Sequence, residues 1–406
     1  MNIVFLALSY PDVSKGGNLY TDLLDALLQE GHSVFVVAPA EDEISAPELR
    51  DERGAQVLRV PTLKLFGGGL IEKGLSNVLL PKQYKRAIKA AKIDMAFDLI
   101  IMPTPPITLI NVAQWIKKRS KAKLYLILRD IFPQNAVDLK MMSPHGPLYH
   151  YFRKLERKLY RNADAMGCMS QENINYVLRH NPSVPKEKLH LLPNWEKFKI
   201  QLEDAEKKEF LVKKYGLENK FIAIYGGNMG KPQQLENVLQ LAKEVQDVPE
   251  IVFLFIGWGT EKAKLQQMAL TLQLNNVRFL ENLPRPDYNT LLQCADVGLI
   301  SLHKDFTIPN YPSKVNAYYK LKLPVLATVD VNTDFGRDLE AIGAGLSSAA
   351  GDIPSLKSNL LTLYRDADLR KKMGKKGHLH FKNRLTPELA ARTIAEQALI
   401  SVHERP

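Results

Sequence analysis

Short apolar runs alternate with longer stretches whose apolar positions recur at helical spacing, and the alternation starts at the second residue and begins again near residue 220. In the first half the runs at 3–9, 33–38, 56–60, 99–102, 124–128, 165–169 and 190–192 read as strands, with helices over 18–30, ended by Gly31, and around 150–161. In the second half, 221–225, 251–256, 277–280, 297–301 and 325–327 read as strands beside helical stretches such as 235–245. Strands that alternate with helices give parallel sheets with helical crossovers, so the expected fold class is α/β with two doubly wound, Rossmann-like domains. Between the halves, 201–216 is rich in Lys and Glu and poor in large apolar groups until a final helix, and the linker is placed there. The domains expected are 1–200, 201–385 and a terminal helix in 386–406. That helix opens at Thr386-Pro387-Glu388, a capping hydroxyl, a proline in the first turn and an acid, and runs to 402.

Two glycine turns follow strands. Gly16-Gly17 comes after the first strand and Gly226-Gly227-Asn228-Met229-Gly230-Lys231 after the strand at 221–225. Glycine lets backbone amides approach an anion closely, and a helix start adds partial positive charge, so each turn can cradle phosphate. The plain alternative is a tight strand-to-helix turn with no ligand. Two such turns in two domains fit a pair of domains that close on one diphosphate.

Charge changes the picture more than bulk composition does. The 406 residues are 45% hydrophobic and 24% charged, ordinary for a globular protein, but the net charge is +11 and calls for an anionic partner. Lys64, Lys73, Lys82, Lys85, Arg86, Lys89 and Lys92 fall between 64 and 92 against one acid, Glu72, among many leucines and beside Gly67-Gly68-Gly69. This mixture suits either a segment on an anionic membrane surface or a solvated helix face. A second basic run, 153–161, has the spacing of an amphipathic helix. No apolar stretch is long enough to span a bilayer and no secretory pattern opens the chain, so a cytosolic location is expected. Cys168 and Cys294 lie in apolar surroundings and read as buried thiols. His378 and His380 are the one close histidine pair, in a lysine-rich surface stretch, and no metal site is expected there. Hydrolase elbows, Walker loops and nucleic-acid modules are absent from the sequence.

Seven motifs then stand in one order: the Gly16-Gly17 turn, Leu128-Arg129-Asp130-Ile131-Phe132-Pro133-Gln134, Leu192-Pro193-Asn194, Tyr225-Gly226-Gly227-Asn228-Met229-Gly230-Lys231, Phe255-Ile256-Gly257-Trp258-Gly259, Ala295-Asp296-Val297-Gly298-Leu299 and Tyr311-Pro312-Ser313-Lys314. Over nearly its whole length the chain resembles a GT-B glycosyltransferase of retaining family four, in the bacterial surface-polysaccharide branch (capsule, exopolysaccharide or O-antigen). The resemblance implies a metal-independent enzyme that moves sugar, with retention, from a nucleoside-diphosphate sugar to a saccharide or lipid-linked saccharide. It implies no cofactor beyond that donor substrate, an acceptor-binding first domain, a donor-binding second domain, and a last helix that crosses back to the first.

A metal-free enzyme needs fixed donors and cations where charge develops on the departing diphosphate. Lys231 and Lys314 are the expected cations. Gly16, Gly17, Gly227, Asn228 and Gly230 would bind through their turns, and Ser313 would bind phosphate or cap the helix at 315–320. Trp258 would stack on the base or cover its turn. Asp130 is assigned to the sugar or acceptor and to taking the acceptor proton, with Arg129 in support or on phosphate; an internal Arg129–Asp130 ion pair is the structural alternative. The chain departs from the family pattern in three places: Arg129 stands where many members have His, Gly257-Trp258-Gly259 replaces Gly-x-Gly-Pro, and Pro309 and Ala317 stand where most members carry two Glu. Ribose binding would then fall to Asn316, Tyr318 or a residue elsewhere. The implied setting is the inner face of the cell membrane, with an anionic lipid surface as partner and no nucleic acid. A sugar-nucleotide epimerase and an inactive assembly scaffold are the rival readings.

Overall fold

The computed structural model describes residues 1–12, 16–63, 70–198 and 204–400, without the side chains of 70–75. Lys64, the three glycines at 67–69, the side chain of Lys73, residues 201–203 of the expected linker and the end of the last helix at 402 lie outside the described residues. The chain divides into two compact units, Met1–Lys197 joined by the C-terminal stretch from Pro387, and Phe198–Thr386.

Unit 1 runs β1 (Asn2–Leu6), α1 (Leu19–Gln29), β2 (Ser33–Pro39), β3 (Glu48–Glu52), β4 (Ala55–Val60), α2 (Leu70–Ala90), β5 (Leu99–Pro103), α3 (Ile110–Ser120), β6 (Lys123–Leu128), α4 (Gln134–Asp138), α5 (Pro147–Asn162), β7 (Ala165–Cys168), α6 (Gln171–His180) and β8 (Leu189–Leu191). Its eight-stranded sheet has the order β3-β4-β2-β1-β5-β6-β7-β8, parallel except for β3, which runs antiparallel to β4. Central β1 pairs Val4 with Phe35 on one side and with Ile100 on the other, and Ile3 to Leu6 are fully enclosed, as a strand covered on both faces requires. The edge strand β3 has the sequence Glu-Leu-Arg-Asp-Glu, which carries no apolar signal. It is held instead by buried Glu52, which bonds the guanidinium of buried Arg59 on β4, while Arg59 also donates to the Tyr10 carbonyl at 2.6 Å.

Unit 2 runs α7 (Ala205–Lys214), β9 (Phe221–Gly226), α8 (Glu236–Glu244), β10 (Ile251–Ile256), α9 (Lys262–Thr271), β11 (Val277–Leu280), α10 (Arg285–Cys294), β12 (Val297–Ser301), α11 (Val315–Lys320), β13 (Val325–Val329), α12 (Phe335–Ile342), β14 (Gly345–Ala349), α13 (Ile353–Arg365) and α14 (Ala367–Arg384). All six strands are parallel in the order β11-β10-β9-β12-β13-β14. That is the doubly wound pattern, with its switch point between β9 and β12, where such sheets open a crevice at their carboxyl ends.

One expectation changes and one holds. The stretch at 205–214 is not linker but helix α7, capped by Asp204 and seated on unit 2 through buried Leu211. The final helix expected in this stretch thus takes up most of it and belongs to unit 2. The last helix, α15 (Pro387–Leu399), follows α14 directly yet belongs to unit 1, where Ala390, Ala391, Ile394 and Ala398 pack in the same core as Leu23, Leu24 and Leu27 of α1. Small residues on that face let the two helices approach closely, and Arg392 reaches Glu30 of unit 1 at 3.1 Å.

Candidate functional site

In unit 2 the carboxyl end of β9 is built by backbone meeting backbone. Gly227 has φ +113°, its amide donates to the Ile256 carbonyl at 2.9 Å, and the Met229 amide donates to the Trp258 carbonyl at 2.6 Å. The Gly257-Trp258-Gly259 turn lies so close that a Cβ on Gly257 would stand 2.2 Å from the Gly227 carbonyl oxygen, and one on Gly259 2.2 Å from that of Met229. Both glycines also have φ near +140° to +151°, so neither position admits a side chain. The contact leaves the Trp258 indole 58% exposed, free to stack on a planar group.

Lys314 comes to this turn from the other side of the switch point. It immediately precedes α11, and its ammonium sits 3.5 Å from the centroid of the buried Tyr225 ring, whose hydroxyl donates to the Asn228 carbonyl at 2.6 Å. Burial pushes this ammonium down to about 7. Among the described residues neither the Lys314 ammonium nor that of exposed Lys231 has a hydrogen bond or ion pair. Two unneutralised cations thus flank one glycine turn, the condition for taking an anion. Tyr225 was invisible as a site residue in the sequence, because its ring faces Lys314 only once β9 and α11 are packed.

The local geometry differs from expectation in two respects. Lys231 opens a single 3₁₀ turn, 231–233, closed by Gly230 donating to Gln233 Oε1 at 3.0 Å, and α8 begins only at Glu236, so the dipole of a long helix does not end at Lys231. Ser313 does not cap α11: Lys314 holds the cap position with no side-chain bond, and Ser313 is exposed. Asn316 is 2% exposed and has an interaction partner. The helix is six residues long, and its inward face takes Val315, Asn316, Tyr318 and Tyr319 together.

In unit 1, Arg129 and Asp130 stand just past the carboxyl end of β6. The alternative of an internal ion pair is not realised: among the described residues no salt bridge joins them, and Arg129 Nη1 is buried without a partner. Burial lowers the Arg129 guanidinium from its ordinary value and raises the Asp130 carboxyl, each opposed by the charge of the other. Trp195 lies 6.0 Å from the guanidinium, and Thr104 Oγ1 accepts from the Arg129 amide at 3.1 Å and bonds the Asp130 carbonyl at 3.2 Å. Thr104 directly follows β5, so its place beside Arg129 and Asp130 became readable only when β5 and β6 were paired.

The Gly16-Gly17 turn enters α1 through an Asn18 cap. Asn18 Oδ1 accepts from the amides of Tyr20 and Thr21, and the Asn18 amide donates to Thr21 Oγ1 at 2.8 Å. The first-turn amides are thus used by the cap of the helix itself, and Gly16, at φ +85°, offers its carbonyl to the Arg53 guanidinium. Elsewhere, Cys168 is buried, its thiol pushed up to about 12 by burial, and Cys294 bonds the Thr290 carbonyl. His378 lies on α14 and bonds the Lys320 carbonyl.

With the geometry in place, two family models match consecutive parts of the chain: a glycosyl transferase 4-like domain over residues 16–195 and glycosyl transferases group 1 over 207–380. The chain belongs to the family-four GT-B glycosyltransferases. This glycosyltransferase is 24% identical over 289 residues to the probable glycosyltransferase WbjE of Pseudomonas aeruginosa, covering 70% of each chain. It is 24% identical over 364 residues to the putative colanic acid biosynthesis glycosyl transferase WcaI of Escherichia coli K12, covering 83% of this chain and 85% of that one. Anabaena HepE, solved with UDP and glucose, shares the fold at a TM-score of 0.69 and 17% identity over 98% of both chains. The α/β class with two Rossmann-like units is thus the GT-B class that the motifs implied.

Proposed function

We propose that this glycosyltransferase transfers a sugar, with retention and without a metal ion, from a nucleoside-diphosphate sugar to a lipid-linked saccharide during synthesis of a bacterial surface polysaccharide. The placement of Lys314 over Tyr225, beside the glycine turn that carries Lys231, is the observation that carries this reading. When the bond from the anomeric carbon to the donor phosphate breaks, negative charge gathers on the departing diphosphate. Two ammonium groups without carboxylate partners stabilise that charge more than they stabilise the intact donor. The amides of Gly227 and Gly230 are already bonded within unit 2, so Asn228 is the turn residue whose amide meets the phosphates, and Trp258 stacks on the base. No cofactor beyond the donor is required. In unit 1, Asp130 takes the proton from the acceptor hydroxyl as that oxygen bonds the anomeric carbon; a carboxyl raised by burial is the better base. Arg129, buried and unpaired, holds an anionic group of a substrate. WcaI, with its role in colanic acid synthesis, and HepE, solved with UDP and glucose, support the choice of acceptor class and donor class.

The test is a thermal-shift screen of nucleoside-diphosphate sugars, followed by transfer assays with the donor that raises Tm. Lys231→Ala and Lys314→Ala should each lower kcat/KM on the order of 10²–10³. Near-normal turnover in both variants overturns the phosphate assignment. Conversion of donor without acceptor would show the epimerase, and binding with no turnover of any donor would show the scaffold.

A further inference from the structure

Three helices of unit 1 gather a basic face that no single stretch of sequence shows. Lys158 of α5 donates to Asn111 Oδ1 of α3 at 2.7 Å, and the charge of half-buried Lys85 of α2 is disfavoured first by burial and then by Lys158, Arg119 of α3 and Lys89 on its own helix. Lys82, Lys85, Arg86 and Lys89 share one side of α2 at spacings of three and four. The Trp115 ring lies under this cluster, 5.9 Å from Lys89 Nζ and 4.5 Å from the Arg119 guanidinium. Acids do not offset it: the three helices hold only Glu72, whose side chain is outside the description, and Glu156, which is buried and bonded to Arg153.

Of the apolar side chains described on α2, Val78 is 41% exposed, but those interleaved with the lysines are not part of the surface. Leu80, Tyr84, Ala87 and Ile88 turn into the core, and Tyr84 donates to the Ala7 carbonyl at 2.6 Å. Apolar surface comes instead from α5. There Leu148, Tyr151, Lys154, Lys158 and Arg161 follow one another at spacings of three and four, so one stripe begins apolar and ends basic. Leu148 is 54% and Tyr151 44% exposed, and nearby Met141 is 58% exposed.

We propose that this α2–α3–α5 face is where the enzyme docks on an anionic lipid surface, its lysines and arginines on the headgroups and Leu148 and Tyr151 in the interface. The proposal rests on the lipid-linked acceptor above. Exposed aliphatic groups continuous with the cations favour lipid over nucleic acid, which would leave Leu148 and Met141 in water.

Full-length protein is sedimented with vesicles of phosphatidylcholine alone or with 30% phosphatidylglycerol, roughly a cellular anionic fraction, at low and high salt. Binding to anionic vesicles only, weakened by salt, is expected. Combined Lys85→Glu, Lys89→Glu, Arg119→Glu and Lys158→Glu should weaken it on the order of 100-fold or more, and Leu148→Ser with Tyr151→Ser should weaken it at high salt, where charge is screened. Charge reversal at Lys213, Lys214, Lys372 and Lys375, in unit 2, should leave it unchanged. Equal recovery with both vesicle types, equal loss in both reversal sets, or binding of transfer RNA with no vesicle binding overturns the proposal. Vesicle binding is read without donor, so it stands or falls separately from turnover, and turnover of a water-soluble acceptor should survive the four reversals.

Discussion

Lys314 holds a charge where burial makes it costly to the fold, the trade that its proposed phosphate role requires. Its ammonium is pushed down to about 7 by burial, whereas in the unfolded chain it titrates near 10.5. The unfolded state therefore binds more protons between these values, so stability rises with pH from about 7 to 10.5, and the cost of burying the charge is felt in full below 7. Lys314→Met should raise Tm at pH 6, by on the order of 1 kcal/mol in stability, and should flatten the pH dependence of Tm measured calorimetrically from 6 to 10. Donor affinity should move the other way, falling as pH rises through 7 in the wild type and holding in Lys314→Arg, whose charge persists; titration calorimetry at pH 6 and 8.5 checks this. Arg129 has the same character, a buried guanidinium with no carboxylate bonded to it. Arg129→Met should stabilise unit 1 while lowering turnover, a combination that a purely structural arginine would not give.

At the scale of elements, the glycine turns at the ends of β9 and β10 act as one unit. Gly259→Ala drives a methyl group against the Met229 carbonyl at a backbone angle that disfavours any side chain, so Tm should fall by an amount worth roughly 2–4 kcal/mol, and donor binding should be lost with it. Gly227→Ala meets no atom within 4 Å and should cost less, about 1 kcal/mol from its positive φ alone. A larger loss at Gly227 than at Gly259, by urea denaturation, would contradict this picture. The difference between Gly227 and Gly259 is not written in their local sequences, which are both Gly-rich. It arises from the pairing of β9 with β10, which brings the second turn onto the first.

For the whole molecule, chain order and structural membership part at the C-terminus. α15 follows unit 2 in sequence but fills the core of unit 1 with Ala390, Ala391, Ile394 and Ala398. A protein ended after Leu385 should therefore lose protection in α1 and β2, read by hydrogen exchange, while β9 and β10 keep theirs; uniform loss in both units would refute the assignment. The residues of this helix alone left it open between the two domains, since its cap signals a start and its small-residue face says nothing of which core receives it; the family resemblance placed it on the first.

Continuous apolar strands such as those at 251–256 and 99–102 were legible because a strand covered on both faces needs nothing but bulk apolar groups, whatever its neighbours. The glycine turns were legible for a local reason: positive φ and close backbone approach confine those positions to Gly. β3, with its charged sequence, was not, because its stability comes from the pairing of Glu52 with Arg59, two residues that meet only across a hairpin. Tyr225 under Lys314, Thr104 behind Asp130, and the joining of Lys85, Arg119 and Lys158 were likewise decided by packing alone. Local patterning fixes which elements form and which face each one buries; contacts between residues far apart in the chain depend on how those faces meet, and it is these contacts that set the charge state and partners of the groups that do chemistry.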